Sequence, residues 1–213
     1  MISGTIYGVV LNDRRQVADL ASQFNAPPYK APPRQPILYI KSRNCLATDG
    51  SGVALPGDLR SAEAAATVGL LIGRDARDVS AQSALSHVSA LCLALDVCEP
   101  HLSYYRPAVR QRCRDGFLPL GRFYPVSTAA LDEPIETYLN GEMVHSWHPG
   151  NLVRDAATLI ADISCFMSLV AGDLLLTGLA MDAPRVNSGD QIRVHSPSLG
   201  SLSSHFWAEE EIV

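Results

Sequence analysis

Charge is scarce in this sequence, and positive charge is scarcer still. Only 18% of residues are charged, and 17 Lys and Arg face 22 Asp and Glu for a formal net charge of -5. A chain with no basic field gains little from a phosphate backbone, so nucleic acid is not an expected partner, and a small anion would need a local basic pocket. No uninterrupted apolar run reaches the ~18 residues of a membrane helix, so no membrane partner is expected. The opening Met1-Ile2-Ser3-Gly4-Thr5-Ile6-Tyr7 lacks the basic and apolar regions of a leader and reads as a strand. A cytoplasmic location is the resulting expectation. The five cysteines, Cys45, Cys92, Cys98, Cys113 and Cys165, are odd in number and lack the short spacing of a zinc knuckle or redox pair. Reduced thiols, mostly buried, are expected.

No internal repeat is evident, nor any linker rich enough to divide the chain. With 47% apolar residues over 213 positions, one packed domain, 1–213, is expected. Alternating β-branched residues predict a strand over 5–11, and residues 16–24 suit a short helix. Residues 26–36 are rich in proline, which removes donors and restrains the preceding residue, so they should form an extended arm or lid. Further strands are predicted at 37–40, 67–73, 123–126, 136–139, 142–144, 174–176 and 192–194, and 90–96 reads as an apolar stretch. The Asn140-Gly141 pair marks a tight hairpin. Helices are predicted at 80–88 and, from apolar residues three and four apart, at 152–169. Residues 206–213 read as a tail.

Several segments, in order, resemble the fumarylacetoacetate hydrolase superfamily. They are Ala26-Pro27-Pro28-Tyr29-Lys30-Ala31-Pro32-Pro33, Tyr39-Ile40-Lys41, Ala66-Thr67-Val68-Gly69-Leu70-Leu71-Ile72-Gly73-Arg74 and Ser103-Tyr104-Tyr105-Arg106-Pro107-Ala108. Arg114-Asp115-Gly116-Phe117, Asn140-Gly141-Glu142, Asn151-Leu152-Val153-Arg154 and Gly172-Asp173-Leu174-Leu175-Leu176-Thr177-Gly178 continue the set. The subfamily they are most similar to is the amino-terminal half of the isomerase/decarboxylase that degrades 4-hydroxyphenylacetate through homoprotocatechuate. The resemblance implies an α+β, mainly β fold: a mixed β-roll with short flanking helices and an active site at a mouth covered by a lid. Fold by itself does not assign chemistry.

The resemblance also implies a divalent cation, Mg or Mn, held by a Glu-x-Glu pair on one strand and an Asp on a later one. Residues two apart on a strand share a face, so two such carboxylates can reach one hard cation. Here Ala65 and Thr67 occupy the two Glu positions, while Asp96 occupies the third and Glu63 lies one step beyond Ala65 on the same face. One carboxylate and one hydroxyl are too few for the usual affinity. The metal is therefore not carried over intact and no cofactor is expected, although Mg or Mn at the remnant Asp96 stays open.

Other chemistry-bearing residues gather between Asp96 and Pro107. His101 suits proton transfer near neutral pH, with a hydrogen-bonded structural histidine as the alternative. Arg106 suits bidentate carboxylate binding, and Tyr104 and Tyr105 suit substrate contact or packing. The resemblance places Lys41 at the pocket mouth, with Arg43 beside it, and sets Arg112 where the family has a catalytic lysine. A guanidinium binds an oxyanion but hardly exchanges a proton. Thr177 and Gly178 match the family's Thr-Gly-Thr, with Leu179 in place of the second Thr.

The catalytic set expected is thus His101, Arg112 and Lys41, with Arg43, Tyr104, Tyr105, Arg106, Thr177 and Gly178 binding substrate. The first expectation is an isomerase converting the dienol 2-hydroxyhepta-2,4-diene-1,7-dioate, a small dicarboxylate, to its keto tautomer by acid/base proton transfer. Two alternatives stay open. One is a catalytically silent structural subunit that pairs with a metal-bearing paralogue; the other is a 5-oxopent-3-ene-1,2,5-tricarboxylate decarboxylase or C–C hydrolase. The chain itself is expected in a homodimer or in a heterodimer with a paralogous subunit.

Overall fold

The structure is a computed structural model that describes residues 1–101 and 103–209. Its strands are β1 (Ile6–Val10), β2 (Ile37–Lys41), β3 (Leu46–Thr48), β4 (Gly52–Leu55), β5 (Ala62–Ile72), β6 (Val88–Cys98), β7 (Leu118–Leu120), β8 (Ile135–Leu139), β9 (Glu142–Trp147), β10 (Leu174–Leu176), β11 (Arg185–Val186), β12 (Gln191–Ser196) and β13 (Gly200–Ala208). The α-helices are short: α1 (Arg14–Asp19), α2 (Ala81–Ala84), α3 (Val109–Arg112) and α4 (Ala156–Ser164).

Two sheets carry the architecture. The larger curls through the order β2-β1-β10-β5-β6-β7-β3, with β11 attached to β5, and the smaller runs β4-β13-β12-β8-β9. Both are mixed, since β1–β10, β3–β7 and β4–β13 are parallel and the other pairs antiparallel. The spine is the antiparallel pair of β5 and β6. One of its faces, through Val68, Leu70, Leu91, Leu93 and Leu95, joins Val194, Leu202 and Phe206 of the smaller sheet in the main core. The other face divides lengthwise. Leu71, Cys92 and Ala94 pack with Ile6, Leu118 and Leu174 at one end, and Ala65 packs with Val10, Leu11, Phe24 and Leu179 at the other. Burial on both faces explains why these strands read as continuous apolar runs instead of alternating ones.

Local chemistry sets the element ends. Asn140 and Gly141 both adopt positive φ, 52° and 91°, and close the β8–β9 hairpin where the sequence places it. The Asp13 carboxylate accepts from the Arg15 and Gln16 backbone N–H groups and caps α1, so that helix starts and ends earlier than expected. The helix expected over 152–169 is α4 alone, because Asp155 caps it by accepting from the Thr158 N–H at 2.8 Å and Leu152 is bridged to Asp13 instead. The helix expected over 80–88 keeps α-geometry only in α2 and finishes as a 3-10 turn, Leu85–His87.

Two expectations about strands fail. Residues 123–126 form no strand, and Tyr124 makes only an isolated bridge to Leu91. The expected tail over 206–213 begins inside β13, which runs to Ala208 and buries Phe206; the polar run Ser201, Ser203, Ser204 and His205 hides this strand from an apolar-pattern reading. Residues 210–213 lie outside the described residues. No helix among the described residues is long and apolar enough to cross a membrane.

Candidate active site

The register of β5 against β6 sets Ala65 directly opposite Asp96, Thr67 opposite Ala94, and Glu63 opposite Cys98. Cross-strand partners share a face, so all six side chains project into the curl of the larger sheet. Ala65 and Leu179 belong there to an apolar cluster with Phe24, flanked by Tyr39 and Tyr104. The Thr67 hydroxyl donates to the Gly178 carbonyl at 2.6 Å. Glu63 lies 3.9 Å from Arg185 at the sheet margin.

Asp96 is 1% exposed and tied on both oxygens. Its Oδ1 is 3.0 Å from Lys41 Nζ and accepts from Arg112 Nη1 at 3.3 Å, and its Oδ2 accepts from the Tyr39 hydroxyl. Lys41 also donates to the Val97 and Phe117 carbonyls at 2.7 and 2.6 Å. Three acceptors use the three donors of an ammonium group. Lys41 is therefore not at a pocket mouth; it is a buried tie between β2, β6 and the approach to β7. Arg112, on α3, stacks its guanidinium 4.4 Å from the Tyr39 ring centroid.

Tyr39 reaches this position through a strand glycine. Gly8 pairs with Tyr39 across β1–β2, and a Cβ on Gly8 would lie 2.0 Å from the ring. A glycine inside a strand marks such a close approach.

Above the cluster opens a cavity of about 410 Å³ bordered by Tyr39, His101, Tyr104, Tyr105, Arg106 and Arg112, with apolar walls from Ile37, Leu38 and Val109. Five of these polar residues belong to the set expected from sequence. The Tyr104 hydroxyl accepts from Gln16 Nε2 at 2.7 Å, and its backbone N–H donates to the Tyr29 hydroxyl at 3.0 Å. The proline-rich arm thus packs on the site through Tyr29, whose ring also meets Tyr105 edge-on. His101 contacts the Ser103 carbonyl through Nδ1 at 3.0 Å and packs edge-on against Tyr104.

Electrostatics follow from burial and the two cations. Burial first, and the Arg112 charge second, hold the His101 imidazole below its usual value. Burial and the Asp96 charge push the Tyr39 phenol well up, and burial raises Tyr104. For Arg112, burial pulls downward, but the neighbouring Tyr39 phenol and the Asp96 carboxylate outweigh it and its pKa is raised, so it stays protonated.

The remaining expected residues lie elsewhere. Arg43 is exposed, reaches toward the Ser3 carbonyl at 3.4 Å, and borders a separate concavity with Met1 and Leu46. Thr177 is buried, and its carbonyl accepts from Asn12 at 2.7 Å. Gly178 packs beside Leu152 and Asn12. Neither borders the cavity of His101 and Arg112. Sequence reasoning missed Tyr39 and Gln16 as site residues. The period-two relation of Tyr39 to Lys41, with Gly8 in the facing strand, was the available signal for the first.

This fold has known counterparts. The chain belongs to the fumarylacetoacetate (FAA) hydrolase C-terminal family, whose model matches residues 5–206. It is 34% identical over 210 residues to the 4-hydroxyphenylacetate degradation bifunctional isomerase/decarboxylase of Salmonella dublin, covering 99% of this chain and 48% of that protein. The chain thus spans about half the length of the curated relatives of that kind it matches. Among solved structures, 5-carboxymethyl-2-hydroxymuconate delta-isomerase from Mycobacterium smegmatis superimposes with a TM-score of 0.83 at 21% identity, covering 99% of this chain and 81% of that one. The 2-hydroxyhepta-2,4-diene-1,7-dioate isomerase from Mycobacterium marinum gives 0.79 at 19% identity, with 99% and 77% covered. At those identities the structural likeness speaks for the fold.

Proposed function

We propose that the chain is an isomerase of 2-hydroxyhepta-2,4-diene-1,7-dioate, moving a proton to turn the dienol into its keto tautomer during 4-hydroxyphenylacetate breakdown. The observation that carries this reading is the single cavity in which His101, Tyr104, Arg106 and Arg112 converge. Ketonisation breaks the enol O–H and forms a C–H, so it needs a base that takes the hydroxyl proton and, once protonated, returns it to carbon, with cations to steady the dienolate oxygen and the two carboxylates. A half-buried imidazole held below its usual value is neutral at pH 7 and free to act as the base. Arg112 suits the dienolate end, and exposed Arg106 suits the distal carboxylate. Lys41, with its donors engaged, anchors Asp96 and does not carry the proton.

A divalent cation does not fit the surroundings of Asp96. Its oxygens are held by Lys41, Arg112 and Tyr39, and no group of three or more Cys, His, Asp or Glu able to hold an ion occurs among the described residues. The proposed chemistry therefore runs through side chains alone, which also disfavours a metal-dependent decarboxylase or hydrolase.

A second reading is favoured by one observation, the apolar packing of Ala65 and Leu179: a silent subunit that pairs with a metal-bearing paralogue. One experiment separates the two readings. Purified protein, with metals quantified, is assayed for ultraviolet loss of the dienol, alone and with the paralogue. Faster ketonisation by the chain alone supports the isomerase. Acceleration only by the paralogue, unchanged when this chain carries Arg112→Gln, supports the silent subunit.

A further inference from the structure

We infer that the anion-binding charge of this site is built into the chain: the Lys41–Asp96–Arg112 cluster carries one net positive charge and captures a carboxylate through Arg112 without any metal ion. This rests on the proposal that the cavity is the active site, though not on which reaction occurs there.

Two cations face one carboxylate, so one positive charge is left over inside the fold. Lys41 holds one share of the balance, with every donor used. Arg112 does not. Among the described residues its guanidinium donates one side-chain hydrogen bond, to Asp96, although it has five N–H donors, and it borders the cavity. It is 5% exposed and backed by the Tyr39 ring, so little solvent screens it. A further carboxylate on the same face, Glu63, lies 3.9 Å from Arg185 and acts on His101 and Tyr104 through its charge, but among the described residues it makes no ion pair with Lys41 or Arg112. A buried charge without a full partner is costly, and a bound anion that completes its hydrogen bonds relieves that cost. The apolar side chains of Ala65 and Leu179 lie where a divalent cation would need more oxygen donors, so the guanidinium is the group left to meet the anion.

The test uses glutarate, a flexible dicarboxylate, as the probe. Thermal unfolding is followed against glutarate concentration in excess EDTA, alongside a Mn2+ titration read by electron paramagnetic resonance. The expected results are a glutarate-dependent rise in Tm that EDTA leaves intact, and no stoichiometric Mn2+ site. Arg112→Gln should weaken glutarate at least about tenfold, and Arg112→Lys, which keeps the charge but not the fork, by less. If Arg112→Gln fails to fold, the lysine variant and the EDTA arm still decide. A Tm rise that requires Mn2+ or Mg2+, stoichiometric Mn2+ binding abolished by Asp96→Asn, or no glutarate effect in EDTA would overturn the inference. Glutarate binding that persists in protein with no ketonisation activity would refute the isomerase and leave this inference standing.

Discussion

Gly8 lies directly across from Tyr39 in the β1–β2 pair, so close that any side chain at position 8 would meet the aromatic ring. That contact lets the Tyr39 hydroxyl reach Asp96 and its ring back the Arg112 guanidinium. Gly8→Ala is accordingly expected to destabilise the protein by about 1–3 kcal/mol in urea unfolding, as an overpacked core does. In a Tyr39→Leu background the same change should cost clearly less. Equal costs in the two backgrounds would show that the ring is not what the methyl group meets.

Asp13 does two jobs with one carboxylate. It caps α1 and accepts the Trp147 indole N–H at 2.9 Å, joining the β8–β9 hairpin to the first helix. Losing the cap costs about 1 kcal/mol, and leaving a buried indole donor unpaired about 1–3 kcal/mol more. Asp13→Ala should therefore destabilise by about 2–4 kcal/mol, and Asp13→Asn by about 1 kcal/mol less, since its one oxygen keeps the cap while its NH2 faces the indole N–H. Equal losses would mean that the hydrogen bonds are not the source.

The acid limb of the pH profile should belong to His101. A base works only when unprotonated, and burial and the Arg112 charge lower this imidazole, so activity should persist below pH 6.5 and fall as pH drops through the lowered value. His101→Asn should remove most activity together with that limb. Arg112→Gln takes away one of the two lowering influences and should move the limb of the residual activity to higher pH. An acid limb unmoved by that substitution would assign it to another group.

The thiols should react unequally. Burial pushes Cys92 and Cys98 up to about 12, whereas Cys165 is exposed. Brief alkylation of folded protein at pH 8, read by peptide mass spectrometry, should label Cys165 and spare Cys92 and Cys98. Early labelling of Cys92 would contradict its burial in the sheet.

How much was legible beforehand depended on how local the physics was. The centres of β5 and β6 stood out as the apolar stretches 67–73 and 90–96 because burial on both faces favours apolar residues there, and Asn140-Gly141 was legible because its turn needs positive φ at both residues. β13 was not legible, since its serines are accommodated by pairing with β12 and β4 rather than by an apolar face. Within the site, His101, Tyr104, Tyr105, Arg106 and Arg112 lie within one short stretch, and the cavity gathers all five. Lys41 was noticed but misplaced, because two of its three acceptors are the carbonyls of Val97 and Phe117, which no residue type encodes.

The chain by itself determined which charges and phenols were available, and that Ala65 and Thr67 stand where the family's two carboxylates would be, with Glu63 one step further along that strand face. Only the tertiary structure decided how the Asp96 carboxylate is balanced. The curl of the sheet carries β2 and α3, from positions distant in sequence, to the same buried oxygens. Pairwise electrostatics of this kind depend on separation and on exclusion of water, and both are properties of the folded arrangement.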